Sequence, residues 1–187
     1  MLSSKASVPM PDPIEWDPVD TISAGAIGQP GQRQFMIQAR NNGALLCVLV
    51  EKQQVAFLAA EATEFLDRVT AETNAEPEPA LDPVNDALCG QIVQSEPLFR
   101  ANMIGIGYDP IRHMVLLELR EHGEAHDDGQ PLEQPEPEGF IARLYASRAQ
   151  VRAMLRHGAA SVDKGRPPCP LCTFPVDPDG HHCPRWN

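Results

Sequence analysis

Two stretches of this chain resist folding, and their positions decide what the rest can build. Residues 70–97 contain six acidic and no basic side chains; residues 121–138 contain seven acidic and none basic. Both are threaded with proline: Glu76-Pro77-Glu78-Pro79 in the first, Pro131, Pro135 and Pro137 in the second. Such segments have too little apolar surface to offset the entropy of ordering, so they read as solvated acidic loops. Together they carry −13, against −11 for all 187 residues, which leaves the remaining chain nearly neutral at +2. Residues 139–168 are locally basic, with six cationic side chains and one acid. The net charge argues against generic binding to nucleic acid or to an anionic membrane, since both demand a basic surface. At 42% hydrophobic the chain can still bury an ordinary core, while 19 prolines limit long helices.

Between the acidic loops the chain repeats itself. Ala26 to Ile37 matches Gly105 to Leu116 without a gap: Ile-Gly, a Pro-containing turn, an Arg, then an apolar strand. Lys52-Gln53-Gln54-Val55 through Leu58 matches Arg148-Ala149-Gln150-Val151 through Leu155. The offset grows from 79 to about 96 where the second acidic loop falls, so 121–138 reads as an insert in the second copy. Each copy reads as three strands and a helix. In the first, Thr21 to Ile27 is a strand, and Gln29-Pro30-Gly31-Gln32 suits a type II turn. Phe35, Ile37 and Ala39 alternate with Met36, Gln38 and Arg40, as a half-buried strand should, and the continuous apolar run Ala44 to Val50 suggests a central strand. Helical spacing then runs from Lys52 to about Val69. The second copy places strands near Phe99–Ile106, Arg112–Leu119 and Phe140–Ala146. A helix follows, opened by the capping box of Ser147 and Gln150. The expected fold is therefore α+β: a duplicated strand-strand-strand-helix unit forming an antiparallel sheet or open barrel of about six strands, with two packed helices. Repeat one spans about 20–70, the acidic linker 70–97, and repeat two about 98–164. Residues 165–187 form a separate tail.

The tail holds the clearest chemistry. Cys169-Pro170-Leu171-Cys172 places two sulfurs within reach of one cation, and Asp179-Gly180 turns the chain just before His181, His182 and Cys183. Three thiolates and an imidazole favour zinc. Spacing alone leaves both histidines eligible. In the His181-x-Cys183 arrangement both side chains reach one point from an extended turn, which favours His181. Cys169, Cys172, His181 and Cys183 would close a tetrahedron, so the zinc would be structural. It would also explain how about 20 residues with almost no core could fold. A redox Cys-x-x-Cys fits poorly, because Pro170 and the Pro/Asp-rich continuation do not open a helix.

Other signals are weaker. Cys47 reads as a small buried hydrophobe, and Cys89 has no evident partner. With an odd cysteine count, no signal-peptide stretch and no apolar run beyond seven residues, the expectation is a cytoplasmic protein with reduced thiols and no membrane span. Arg148, Arg152 and Arg156 form a helix stripe that reads as a solvated face, with phosphate or acidic-partner binding as the sharper alternative. Arg33 and Arg112 take matching places in the two copies. With Arg148 they could line a groove for a phosphorylated small molecule; equally, they could cap turns. Glu121, His122, Glu124, His126, Asp127 and Asp128 could coordinate a metal, at the entropic cost of ordering a loop. Gly25, Gly28 and Gly31 read as turn glycines, since no helix or Lys-Ser/Thr follows. His113 in a strand and His157 in a helix read as structural, and no Ser/His/Asp or Cys/His constellation has recognisable context.

Taken together, Gly28-Gln29-Pro30-Gly31-Gln32-Arg33, Val50-Glu51-Lys52-Gln53-Gln54-Val55, Gly165-Arg166-Pro167-Pro168-Cys169-Pro170-Leu171-Cys172 and Asp177-Pro178-Asp179-Gly180-His181-His182-Cys183-Pro184-Arg185 are specific. Over nearly its whole length the chain resembles an uncharacterised actinobacterial "repeat protein" family of unknown function. The family's tail pattern, Cys-Pro-x-Cys followed by Gly-His-x-Cys-Pro, implies His181 as the ligand. Thr173 departs from it, standing where the family usually has Gly. The resemblance brings no activity. The leading expectation is a non-enzymatic binding or adaptor protein with a protein partner and a structural zinc. The alternatives are a ligand-binding protein or enzyme acting on a phosphorylated small molecule, and nucleic-acid binding through the basic segment and the tail.

Overall fold

The computed structural model describes residues 11–73, 89–121, 139–166, 169–176 and 180–186. It is α+β, with two mixed four-stranded sheets and two helices among the described residues. The strands are β1 (Ile14–Trp16), β2 (Thr21–Ile27), β3 (Gln34–Asn41), β4 (Ala44–Val50), β5 (Phe99–Arg100), β6 (Met103–Asp109), β7 (Met114–Arg120) and β8 (Ile141–Ala146). Helix α1 (Lys52–Glu72) follows β4, and α2 (Arg148–Asp163) follows β8. One sheet has the order β2-β3-β4-β5 and the other β1-β8-β7-β6.

The expected antiparallel sheet or open barrel of about six strands is thus corrected to two mixed four-stranded sheets, and the reason lies in two short edge strands. Each sheet is an antiparallel meander that leads into a helix, with one parallel strand added to its last member. The added strands are exchanged. β1 precedes the first meander but pairs with β8 of the second; β5 precedes the second but pairs with β4 of the first. What the sequence presents as one strand from Phe99 to Ile106 is therefore two, because the chain changes sheets at Ala101–Asn102.

The crossings are held in the same way on both sides. Val19 N–H donates to the Tyr145 carbonyl (2.9 Å) and Asp20 N–H to that of Arg40 (2.8 Å). Ala101 N–H donates to Leu49 and Asn102 N–H to Arg120, both at 2.9 Å. The N3 glutamine of each helix completes the joint. Gln150 accepts from Ser147 N–H in the capping box, and its amide donates to the Val19 and Asp20 carbonyls. Gln54 accepts from Glu51 N–H and donates to those of Ala101 and Asn102. One side chain thus caps a helix and clamps the strand entering the other sheet, satisfying backbone groups that neither ladder reaches.

The gap-free match of 26–37 with 105–116 does not survive as a spatial correspondence. It equates core-facing Phe35 with Met114, whereas Val115, Leu117 and Leu119 face the core. Ladder register instead sets β2 against β6 at an offset of 82, β3 against β7 at 80, and β4 and α1 against β8 and α2 at 96. The first hairpin connection, 28–33, is two residues longer than 110–113, so no match without gaps fits both strands; an offset of 79 misses the first by three residues and the second by one, both odd, which flips every side chain. At an offset of 96, Lys52 and Arg148 each open the helix that follows a meander.

Inner faces of both sheets and both helices meet in one core that includes Ile22, Ile37, Val48, Leu66, Leu117, Leu144, Val151 and Met154. α2 lies along β2 and against α1. Gly158 permits this: a Cβ there would come within 2.9 Å of Val55 Cγ1 and 3.4 Å of the Ala24 Cβ. The predicted type II turn is present, with Gln32 N–H donating to Gln29 O at 2.9 Å and Gly31 at φ +97°. His113 is not in a strand; it sits in the β6–β7 turn at φ +54°. No described helix is long and apolar enough to cross a membrane.

Candidate functional site

The tail is built from two tight turns that face each other. In the first, Cys169 N–H donates to Phe174 O and Thr173 N–H to Cys169 O, both at 2.8 Å. This closure requires a left-handed residue, and Thr173 supplies it at φ +65°, where a β-branched side chain is disfavoured. In the second, Gly180 at φ +92° turns the chain into His181, and Trp186 N–H donates to Cys183 O (3.0 Å). Arg185 ties the turns together by donating to Leu171 O at 3.0 Å.

The turns bring Cys169, Cys172, His181 and Cys183 into one cluster, with all four donor atoms within 4.8 Å of one another. Cys169 and Cys183 sulfurs lie 3.9 Å apart, and the Cys172 sulfur is 3.2 Å from His181 Nε2. A tetrahedral zinc with Zn–S near 2.3 Å would set sulfurs about 3.8 Å apart, so the donor set fits. His182 is exposed and outside the cluster. The backbone prepares the sulfurs. N–H groups of Cys172 and Leu171 point at Cys169 and hold its thiol below the ordinary range, while removal from water pushes the Cys172 thiol up. Thiolate, not thiol, is the metal ligand, and these N–H groups stabilise it.

The three arginines of the expected groove have three separate sets of partners. Arg33 donates to Ser161 O (3.2 Å) and lines a cavity at the end of the β2–β5 sheet. Arg112 is held by Asp17 and Asp109, each at 2.7 Å, with its guanidinium 4.9 Å from the Tyr145 ring centre. Arg148 donates to Thr70 Oγ1 (2.9 Å) between the helices. The stripe on α2 is therefore not simply a solvated face: it meets α1, where Arg152 also pairs with Asp67 (2.7 Å). The acidic loop ligands His122, Glu124, His126, Asp127 and Asp128 lie outside the described residues, as does most of the acidic linker; Glu121 accepts from Phe140 N–H (3.3 Å).

Cys47 is buried, as expected. Cys89 is buried too, with its sulfur 3.3 Å from His157 Nδ1, a pairing across 68 residues that local spacing does not reveal. The cationic lining around Arg33, supplied by Lys52, Arg100 and Arg166, was equally hidden because its members come from four elements.

The chain belongs to a family described as a protein of unknown function (DUF3090), whose model matches residues 14–183. No curated protein and no solved structure matches it.

Proposed function

We propose that the protein is a non-enzymatic binding protein of the cytoplasm: a duplicated α+β body carrying a structural zinc module that presents an apolar surface to a protein partner. The observation that carries it is the Cys3His cluster. Four protein donors lying together would fill a tetrahedron around one zinc and leave no position for a substrate or a reactive water, which is the signature of a structural site. The tail also displays what a docking module needs. Leu171, Phe174 and Trp186 are 49%, 58% and 75% exposed, within a segment too small to bury them itself. The duplication is supported by the reciprocal strand exchange and by the paired roles of Gln54 and Gln150.

Freshly purified protein should contain roughly one zinc per chain, falling to near zero in Cys172→Ser and unchanged in His182→Ala. Zinc-free wild type would refute the metal reading. Phe174→Ser/Trp186→Ser should keep the zinc and lose any stoichiometric partner recovered from native lysate. An unchanged partner set would refute the docking surface.

A further inference from the structure

A cavity of about 340 Å³ opens at one end of the β2–β5 sheet. Four cationic side chains border it, each from a different element: Arg33 from the β2–β3 turn, Lys52 from the start of α1, Arg100 from β5, and Arg166 from the segment after α2. Glu51, paired with Arg100, is the one carboxylate among its lining residues. A chain with a net charge of −11 thus gathers four of its 15 cations, against one acid, around a single concavity. Bringing like charges together costs energy that burial of a counter-anion would return.

Arg33 is anchored and keeps donors to spare, and Lys52 lies close by Gly165. Arg33 spends one donor on Ser161 O, and a guanidinium has four more. The Lys52 ammonium lies against Gly165, within 2.9 Å of where a Cβ would be.

The corresponding end of the other sheet is different. There Arg112 is neutralised by Asp17 and Asp109 and covers Tyr145. Asp17 follows Trp16, which is paired with Leu144; Arg100 follows Phe99, which is paired with Val48. The same place in the exchanged strand is thus an acid in one half and a cation in the other. At one end the guanidinium is held between two carboxylates, and the lining of the other end gathers four cationic side chains to one carboxylate.

We propose that this cavity binds the phosphate of a small phosphomonoester. A phosphate dianion suits a predominantly cationic lining, and Arg33 and Lys52 supply convergent charge-assisted donors. The volume sits at the lower end of small-molecule sites, which run from roughly 300 to 1,000 Å³. Phe35 and Leu49 supply an apolar wall for the organic part. A nucleic acid would need a continuous cationic track, and the net charge opposes it. Of the three arginines that the sequence suggests for such a ligand, Arg33 alone is part of this lining.

The test is calorimetric titration of the full-length protein with inorganic phosphate and with glucose 6-phosphate, at constant ionic strength in chloride, with metal content recorded on the same sample. Saturable one-site binding of both is expected, glucose 6-phosphate the tighter. Lys52→Gln and Arg33→Gln should each weaken it about tenfold or more. Glu51→Gln should strengthen it, by freeing Arg100. Arg68→Gln, an equal charge change on the exposed part of α1, should leave it unaltered. Lys52 is exposed, so its variant reports binding even if Arg33→Gln unsettles the α2 contact. Absence of saturable binding to either probe, or equal weakening by Arg68→Gln and Lys52→Gln, overturns the proposal. Either result leaves the zinc reading standing, since that is decided by metal content.

Discussion

Gln38 and Cys47 face each other across β3 and β4; Glu118 and Arg143 face each other at the same place across β7 and β8. The ladder position is shared, but the chemistry is opposite. On the first sheet the pair lies on the outer face beneath residues 92–95. Gln38 exchanges two hydrogen bonds with Val93, donating to its carbonyl (2.7 Å) and accepting from its N–H (2.9 Å). On the second sheet the outer face meets solvent, and Glu118 bridges Arg120 and Arg143 at 2.6 and 2.8 Å. The burial patterns agree: β3 is buried over five consecutive residues, whereas β7 alternates. A meander of this kind thus tolerates either a second apolar cover or an ionic surface, provided each buried polar atom has a partner.

Moving one pair's chemistry into the other's place should break the contrast most sharply. Gln38→Glu would put a carboxylate under the cover, with no cation facing it across the ladder. It should cost about 3–5 kcal/mol at neutral pH, measured by urea unfolding. Burial raises that carboxyl in the folded state, so the penalty should shrink as the pH falls towards the ordinary glutamate range. A pH-independent loss would mean that the cover has simply been expelled. Next in size, Met36→Ala empties a fully buried outer-face site and should cost about 2–4 kcal/mol, whereas Leu116→Ala, its half-exposed counterpart, should cost about 1. Equal losses would refute the difference in cover.

Two smaller effects sharpen the comparison from the side of likeness. Gln54→Ala and Gln150→Ala should each cost about 1–2 kcal/mol, and by similar amounts, because each strips the clamp from one strand crossing. A large inequality would show that one crossing carries the fold. Smallest is Glu118→Gln, at about 1 kcal/mol or less, and weaker in high salt. Burial pushes Glu118 up, but Arg143 and Arg120 outweigh it and hold the carboxyl below its ordinary value near 4.5. Its contribution is therefore complete above that value and lost as the pH falls through the lowered one. The wild type should lose more stability than Glu118→Gln across that acid interval.

The local signals in the sequence were sound where one element answers for itself. Strands 21–27 and 44–50, the turn around Gly31, the Ser147 cap and the tail cluster all follow from spacing or residue type. What was hidden depends on relations between elements. β1 and β5 have three and two residues, too few to show a period, yet they decide that there are two sheets. The α2 stripe looked solvent-facing because nothing local announces α1 as its neighbour. Thr173 stands where the resembled family usually has Gly, and its positive φ is the conformation that a glycine adopts without strain.

The exchanged edge strands have one more consequence. Cleaving the chain anywhere between residues 74 and 88 yields two pieces, neither of which owns a complete sheet. The first piece keeps β1, whose partner β8 has left; the second keeps β5, whose partner β4 has left. Each piece alone has an unpaired edge and a stray strand, and mixing them supplies both deficits at once. Each half thus holds the strand that completes the other's sheet, and a covalent link between them keeps their local concentration high.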